Sequence, residues 1–210
     1  MGQEQIGNKT PLHELKIGKE VENYYDEWAL NNKYNNDLKE WEYSGPTESV
    51  KIFNKYNKNK KIKIFDAGCG TGLVGIELKN NGYLNIDGAD FSQKMLDQIP
   101  KGYYKNIYKL DLNKKLDLDS NIYDAILCVG TFTYSHVLPD SLEEMIRICK
   151  EESLICFTIN PGIYEKYGFD KKIKELENRK KLERLEFFKS NYIASKGVSA
   201  WLYIARILND

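Results

Sequence analysis

Several features that mark metalloproteins, disulfide-bonded proteins and membrane proteins are missing from this 210-residue sequence. Its four cysteines form no C-x-x-C pair, and its two histidines form no metal-type spacing. Its longest apolar runs are far shorter than the roughly 20 residues of a membrane-spanning helix. The start of the sequence is polar and does not resemble a secretory signal. We therefore expect a cytoplasmic protein with reduced thiols, no metal and no membrane partner.

Net charge is missing as well, because 31 basic residues balance 31 acidic ones. A protein without a broad positive field is a poor candidate for binding nucleic acid. The length and the 41% hydrophobic content allow one domain with a sizeable core. We divide it into an N-terminal helical segment or lid at residues 1–43, rich in aromatic side chains, and a main domain at residues 44–210. We expect a monomer or a homodimer.

Glycine is concentrated in one stretch, residues 64–75, around which the rest of the chain is organised. A short apolar strand ends at Asp66, and Gly68, Gly70 and Gly72 follow at alternate positions. An apolar helical pattern then begins at Leu73. Three missing side chains let the backbone lie directly against a ligand, and a carboxylate stands where open α/β sheets bind theirs.

Two ligands are compatible with this turn. Gly70-Thr-Gly72-Leu-Val-Gly75 matches the G-x-G-x-x-G pattern that holds a dinucleotide pyrophosphate at a helix N-terminus. In that pattern the glycines follow the strand at once, whereas Asp66 and Gly68 come first here. A carboxylate repels a pyrophosphate but attracts a ligand with ammonium and sulfonium charges, so we favour the cationic ligand.

The chain continues as alternating strands and helices. Strands are predicted at residues 61–66, 83–90, 103–110, 123–130 and 153–160, and a charged amphipathic helix at 170–185. Asp140 and Glu143 have the spacing of a capping box. Two final strands, at 185–192 and 198–208, are separated by so short a connection that we expect an antiparallel pair. A six-stranded dinucleotide-binding fold does not account for this pair.

The pattern Asp66-x-Gly68-x-Gly70-x-Gly72 resembles motif I of the class I S-adenosylmethionine-dependent methyltransferases. This resemblance implies an α/β fold: a three-layer, doubly wound, Rossmann-like sheet of seven mostly parallel strands with an antiparallel last strand. A narrower resemblance, to the Williams–Beuren-region methyltransferase-like proteins, rests on Tyr25-Asp-Glu-Trp-Ala29, Gly45-Pro46 and Val129-Gly-Thr-Phe-Thr-Tyr-Ser-His-Val137.

The resemblance also implies a donor, S-adenosylmethionine, with S-adenosylhomocysteine as the product. Asp90, at the end of the second strand, would accept both ribose hydroxyls. Asp111 would meet the adenine amino group, unless it merely ends the third strand. Asp66 would organise the glycine turn or reach the ammonium group through water. The full set of expected donor-binding residues is Tyr25, Asp66, Ala67, Gly68, Gly70, Thr71, Gly72, Asp90, Phe91, Ser92, Asp111, Leu112, Gly130 and Thr131.

His136 is our candidate catalytic base, because it is the histidine in the loop after the fourth strand. A structural histidine bonded to a loop carbonyl is the alternative. Tyr25, Tyr34, Trp41 and Tyr134 could line an acceptor pocket.

The loop after the fourth strand reads Val-Gly-Thr-Phe. It lacks the Asn/Asp-Pro-Pro-aromatic motif typical of methyltransferases that act on exocyclic amines of bases. We therefore predict methyl transfer to an oxygen or nitrogen of a small molecule. The alternatives are an NAD-dependent oxidoreductase and a non-catalytic nucleoside-binding protein.

Overall fold

The computed structural model describes residues 11–208, so residues 1–10 of the predicted N-terminal segment lie outside the described residues. The strands are β1 Ile64–Ala67, β2 Ile86–Asp90, β3 Asn106–Lys109, β4 Tyr123–Phe132, β5 Cys149–Ile159, β6 Leu182–Ile193 and β7 Val198–Ile207. The α-helices are α1 Lys19–Ala29, α2 Lys33–Glu40, α3 Gly45–Tyr56, α4 Leu73–Asn80, α5 Gln93–Leu96, α6 Ser141–Ile148, α7 Pro161–Tyr164 and α8 Phe169–Asn178. Three 3₁₀ turns lie at Leu12–Glu14, Leu30–Asn32 and Ala194–Lys196.

All seven strands form one sheet in the order β3-β2-β1-β4-β5-β7-β6. Strands β1 to β5 pair in parallel, and β7 inserts antiparallel between β5 and β6. The predicted seven-stranded fold, with its antiparallel last strand, is therefore confirmed. Because β1, β2 and β4 are neighbours and parallel, the loops that leave their carboxyl ends meet at one edge of the sheet.

Both faces of the sheet are buried at its central strands β1 and β4, as the unbroken apolar run of β4 predicts. On one face Phe65 packs with Tyr123 and with residues of α6 and α8. On the other, Ile64 packs with Phe53 of α3 and Leu78 of α4. Consecutive residues of β1 thus enter opposite cores, because strand side chains alternate between faces. The result is a three-layer arrangement that holds the loops at the site edge in place.

Two local predictions are wrong. The helix expected at residues 170–185 ends at Asn178, because Lys180 has a φ of 55° and Leu182 joins β6, opposite Ile207. Asp140 forms no capping hydrogen bond. Its carboxylate and that of Glu143 instead contact the Lys172 ammonium of α8 at 3.1 and 3.0 Å. In both cases tertiary pairing prevails over a local pattern.

Candidate active site

The turn between β1 and α4 depends on glycine for two different reasons. Gly68, Gly70 and Gly72 have φ values of 76°, 54° and 90°, a region that side chains disfavour. A Cβ atom at Gly68 would lie 2.1 Å from the Thr131 hydroxyl oxygen, so close packing requires glycine there. A Cβ atom at Gly70 would meet no atom of residues 11–208 within 4 Å, so among these residues the glycine leaves open space for a ligand.

Asp66 of β1 is connected to the start of α4 through the Tyr104 hydroxyl. Its carboxylate is fully buried, and Oδ2 accepts a hydrogen bond of 2.6 Å from the Tyr104 hydroxyl. The Tyr104 oxygen accepts in turn from the Gly75 amide at 3.0 Å. Oδ1 of Asp66 has no hydrogen-bond partner among the residues that the structure describes. Burial raises the pKa of Asp66 to about 7, although the bond from Tyr104 acts in the opposite direction.

Asp90 connects the glycine turn to β2. Its Oδ2 accepts from the Gly70 amide and its Oδ1 from the Ser92 amide, both at 2.9 Å. Ser92 also caps α5, because its hydroxyl accepts from the Met95 amide at 3.2 Å. Burial raises the pKa of Asp90, and the backbone hydrogen bonds oppose that shift. Since each carboxylate oxygen has a second lone pair, Asp90 can also accept from two adjacent hydroxyls of a ligand.

A cleft of about 780 Å³ opens beside these residues, and we call it the donor cleft. Its side chains carry negative charge: Glu22, Asp90 and Asp111 line it, and no described lining residue is a lysine or arginine. Lys109 and Lys19 bind Glu22 at 2.7 and 2.8 Å and lower its pKa. Lys114 likewise pairs with Asp111 at 3.2 Å, so among the described residues Asp90 is the lining carboxylate without a lysine partner. Its charge suits a cationic ligand better than a diphosphate.

Most of the predicted site residues meet at the donor cleft. Those that line it are Tyr25, Gly68, Gly70, Asp90, Phe91, Ser92, Asp111, Leu112, Gly130, Thr131 and His136. Four do not line it. Asp66 lies beneath the turn, the Ala67 carbonyl accepts from the Thr131 hydroxyl at 3.2 Å, and the Thr71 hydroxyl donates to Asn35 at 2.6 Å. At the fourth, Gly72, a Cβ atom would lie 3.2 Å from the Tyr104 ring and 3.4 Å from Ile99.

Sequence reasoning did not select several other residues that line the cleft. Glu22 lies three residues before Tyr25 on α1, so helical spacing could have placed both on one face. Asn113 follows Asp111 closely, and its amide donates to the His136 carbonyl at 3.0 Å. No sequence pattern indicated Tyr104, whose hydroxyl contacts Asp66 and the Gly75 amide.

His136 lies in the donor cleft, beside Tyr25, with ring centroids 4.9 Å apart. Its Nδ1 is 2.5 Å from the Tyr134 carbonyl oxygen. Because a carbonyl only accepts, Nδ1 carries the hydrogen and Nε2 has the free lone pair. Nε2 is shielded from solvent and has no hydrogen-bond partner within the described part of the chain. Burial lowers the pKa of His136 to about 4, so the ring is neutral near pH 7.

A second cavity, of about 830 Å³, lies next to the donor cleft, and we call it the aromatic pocket. The two share Tyr25, Tyr34 and Gly130. Tyr134 lines this pocket as expected, but Trp41 does not; its ring packs on Trp28 instead. The lining consists of Leu12, His13, Tyr25, Trp28, Tyr34, Leu38, Tyr43, Gly130, Phe132, Thr133, Tyr134, Asn160, Tyr192, Ile193 and Val198.

Residues 11–208 contain neither a membrane-spanning helix nor a cluster of metal ligands. None of the helices there is both long enough and apolar enough to cross a membrane. Within the same range, no group of three or more His, Cys, Asp or Glu side chains is arranged to hold a metal ion.

Comparison with known proteins points to one class of enzyme. A family profile described as a methyltransferase domain matches residues 64–152. Human methyltransferase-like protein 27 is 30% identical over 139 residues, which are 64% of this chain and 56% of that protein. The ubiquinone biosynthesis O-methyltransferase of Rickettsia canadensis is 26% identical over 114 residues, or 52% of this chain and 48% of that protein. The chain thus spans about half the length of these curated relatives.

A solved structure supports the fold independently. Magnesium protoporphyrin IX methyltransferase from Synechocystis, crystallised with S-adenosylmethionine, superimposes with a TM-score of 0.61 at 15% identity. The match covers 85% of each chain. At this identity the likeness shows a shared architecture and nothing about the molecule that is methylated.

Proposed function

We propose that this chain is a class I S-adenosylmethionine-dependent methyltransferase that transfers a methyl group to an oxygen or nitrogen atom of a small molecule. One observation supports the proposal most strongly: the negatively charged donor cleft and the aromatic pocket meet at Gly130. A donor in the first cavity could therefore reach an acceptor in the second.

The donor cleft fits S-adenosylmethionine in charge and in space. The open space at Gly70 would admit its methionine portion, and Asp90 would accept from the two ribose hydroxyls. Phe91 and Leu112 would flank the adenine, and Asp111 would lie near its amino group. The carboxylates of the cleft favour the sulfonium and ammonium charges.

The bound donor would supply an electrophilic methyl group on a positively charged sulfur. The protein's task is then to align the acceptor and to exclude water. Gly130 suits this task, because it removes a side chain at the boundary between the cavities. A Cβ atom there would lie 3.0 Å from the Tyr43 hydroxyl oxygen and 3.2 Å from that of Tyr192.

The role of His136 as a catalytic base remains a prediction. Its place in the donor cleft and its lowered pKa favour a different task, the acceptance of a hydrogen bond by neutral Nε2. We propose that His136 and the edge of the Tyr25 ring together close the adenine side of the cleft.

We also propose that the described part of the N-terminal segment covers the donor cleft. The Asn35 side chain on α2 accepts from the Thr71 hydroxyl at 2.6 Å, and the Asp26 carboxylate on α1 accepts from the Ser92 hydroxyl at 2.5 Å. Both partners belong to loops that border the cleft. These hydrogen bonds would hold the segment closed and keep water out during transfer.

Titration calorimetry tests the donor assignment directly. We expect S-adenosylmethionine and S-adenosylhomocysteine to bind, and NAD to bind much more weakly or not at all, because no described cation lines the cleft. Binding of NAD alone would support the oxidoreductase alternative instead.

A second measurement tests transfer. Methyl-labelled S-adenosylmethionine is incubated with the protein and a broad panel of small-molecule acceptors, and labelled products are separated. Donor binding without any labelled product across the panel would favour the non-catalytic alternative.

A further inference from the structure

We propose that the aromatic pocket binds the methyl acceptor, and that this acceptor is an uncharged nitrogen compound with a planar, apolar body held by the Tyr43–Tyr192 hydroxyl pair. This inference rests on the proposed function, because it assumes a methyl donor in the neighbouring cleft. It adds the charge of the acceptor, the reacting element and two residues that position it.

The residues that line the aromatic pocket indicate that the acceptor is uncharged. Seven Phe, Tyr and Trp side chains contribute to it besides aliphatic residues: Tyr25, Trp28, Tyr34, Tyr43, Phe132, Tyr134 and Tyr192. No aspartate, glutamate, lysine or arginine is among the described lining residues. A carboxylate or phosphate would lose its hydration there without gaining a cationic partner, which is strongly unfavourable. A planar apolar body can instead pack on the rings.

The hydroxyl pair lies where the two cavities meet. The Tyr43 and Tyr192 hydroxyl oxygens are 3.0 Å apart, and their rings meet edge to face with centroids separated by 4.9 Å. A Cβ atom at Gly130 would lie 3.0 and 3.2 Å from the two oxygens. The Gly130 amide in turn donates to the Thr158 hydroxyl at 2.9 Å. Tyr43 lies between α2 and α3, and Tyr192 lies in β6. The hydroxyl pair therefore also connects the end of the N-terminal segment to the sheet.

The protonation state of the pair limits its chemistry. Burial raises the pKa of both tyrosines, so neither can act as a base near neutral pH. Each hydroxyl donates one hydrogen bond and can accept another. An N–H group that donates to one of these oxygens would be held beside Gly130 while its lone pair stays free.

The lack of a base at this end of the pocket favours nitrogen over oxygen. A neutral hydroxyl becomes a good nucleophile only when a base removes its proton, whereas a neutral amine attacks with its own lone pair. His13 is the histidine among the described lining residues, but its side chain is 40% exposed and lies 3.9 Å from Glu14. It is therefore open to solvent, and its ring packs on Tyr134 with centroids 6.1 Å apart.

The proposed reaction transfers a methyl group from the donor sulfur to the acceptor nitrogen. The nitrogen lone pair forms the new N–C bond while the C–S bond breaks and leaves its electron pair on sulfur. The positive charge moves from sulfur to nitrogen, and the methylated nitrogen releases one proton to water. Aromatic ring faces stabilise the positive charge that develops on nitrogen.

Three fluorescent probes of the same shape test the proposal: 2-naphthylamine, 2-naphthol and 2-naphthoate. At about pH 7 the first two are uncharged and the third is an anion. With S-adenosylhomocysteine present, we expect the two neutral probes to bind at least about tenfold more tightly than naphthoate, because the pocket offers the anion no partner. With S-adenosylmethionine, we expect methylated naphthylamine and no methylated naphthol.

Tyr43→Phe and Tyr192→Phe each remove one hydroxyl of the pair. Each should weaken naphthylamine binding roughly two- to tenfold, the range for one lost hydrogen bond. Tyr203→Phe is the matched control, because the Tyr203 hydroxyl donates to Glu177 at 2.8 Å and lines neither cavity. It should bind the probe like the unmodified protein.

The outcomes separate the two proposals. Equal or tighter binding of naphthoate, or transfer to naphthol alone, would overturn the acceptor assignment even when S-adenosylhomocysteine binds normally. Unchanged naphthylamine affinity in both tyrosine variants would overturn the role of the pair. Failure of S-adenosylhomocysteine to bind the unmodified protein would overturn the proposed function itself.

Discussion

Asp66 provides the sharpest test of the site's electrostatics, because its carboxylate is buried with one oxygen unpaired. Burial raises its pKa from the ordinary 3.8 to about 7. The folded protein therefore binds this proton more tightly than the unfolded chain does. The stabilisation that results is fully present below pH 3.8 and is lost as the pH rises through 7.

The size of the effect follows from the same shift. Between pH 5 and pH 8, this one group should reduce the free energy of unfolding by about 2–3 kcal/mol. His136 acts in the opposite direction, because burial lowers its pKa from 6.5 to about 4. Its stabilisation is present above pH 6.5 and is lost as the pH falls through 4, which amounts to about 2 kcal/mol between pH 8 and pH 5. The unmodified protein can thus have a nearly flat profile that conceals both contributions.

Asp66→Asn separates them, because it removes the titrating group and keeps its shape and its acceptor oxygen for Tyr104. Urea unfolding of both proteins at pH 5 and pH 8 gives four free energies of unfolding. The quantity to compare is the free energy of unfolding of the Asn variant minus that of the unmodified protein. We expect this difference to be about 2–3 kcal/mol larger at pH 8 than at pH 5. The same pH dependence in both proteins would show that Asp66 ionises like an exposed aspartate, and would refute the reasoning.

The other predictions concern ligand binding and can be checked by calorimetry with S-adenosylhomocysteine. Asp90→Ala should weaken binding by roughly 1.5–3 kcal/mol, the range for hydrogen bonds to a charged group; unchanged affinity would argue against its role with the ribose. Gly70→Val should abolish binding in a protein that still folds by circular dichroism, because its side chain would fill the open space beside the turn; a folded variant with normal affinity would contradict this placement. His136→Gln should weaken S-adenosylhomocysteine binding and leave the pH dependence of kcat unchanged, because neutral Nε2 is expected to accept a hydrogen bond; loss of transfer with normal donor affinity would instead support a catalytic base.

Much of the fold was predictable because its signals are local. The spacing of Gly68, Gly70 and Gly72 after an apolar strand indicated a turn against a ligand, and φ is positive at all three. The unbroken apolar run of β4 indicated a strand buried on both faces, and the closely spaced last two strands indicated an antiparallel pair. Asp90 was predicted to belong to the site because it ends the second strand, and parallel strands end at a common edge of the sheet.

By itself, then, the sequence determined the seven-stranded architecture and indicated the class of enzyme and the residues near the glycine turn, since each depends on neighbours along the chain. Only the tertiary structure decided which of these residues reach the cleft. It placed the Tyr104 hydroxyl in contact with Asp66, and His136 in the donor cleft. It also placed Tyr43 against Tyr192, which lies 149 positions away along the chain. Contacts of that kind arise from the packing of distant segments, and no periodicity or motif in one segment records which side chain of another it will meet.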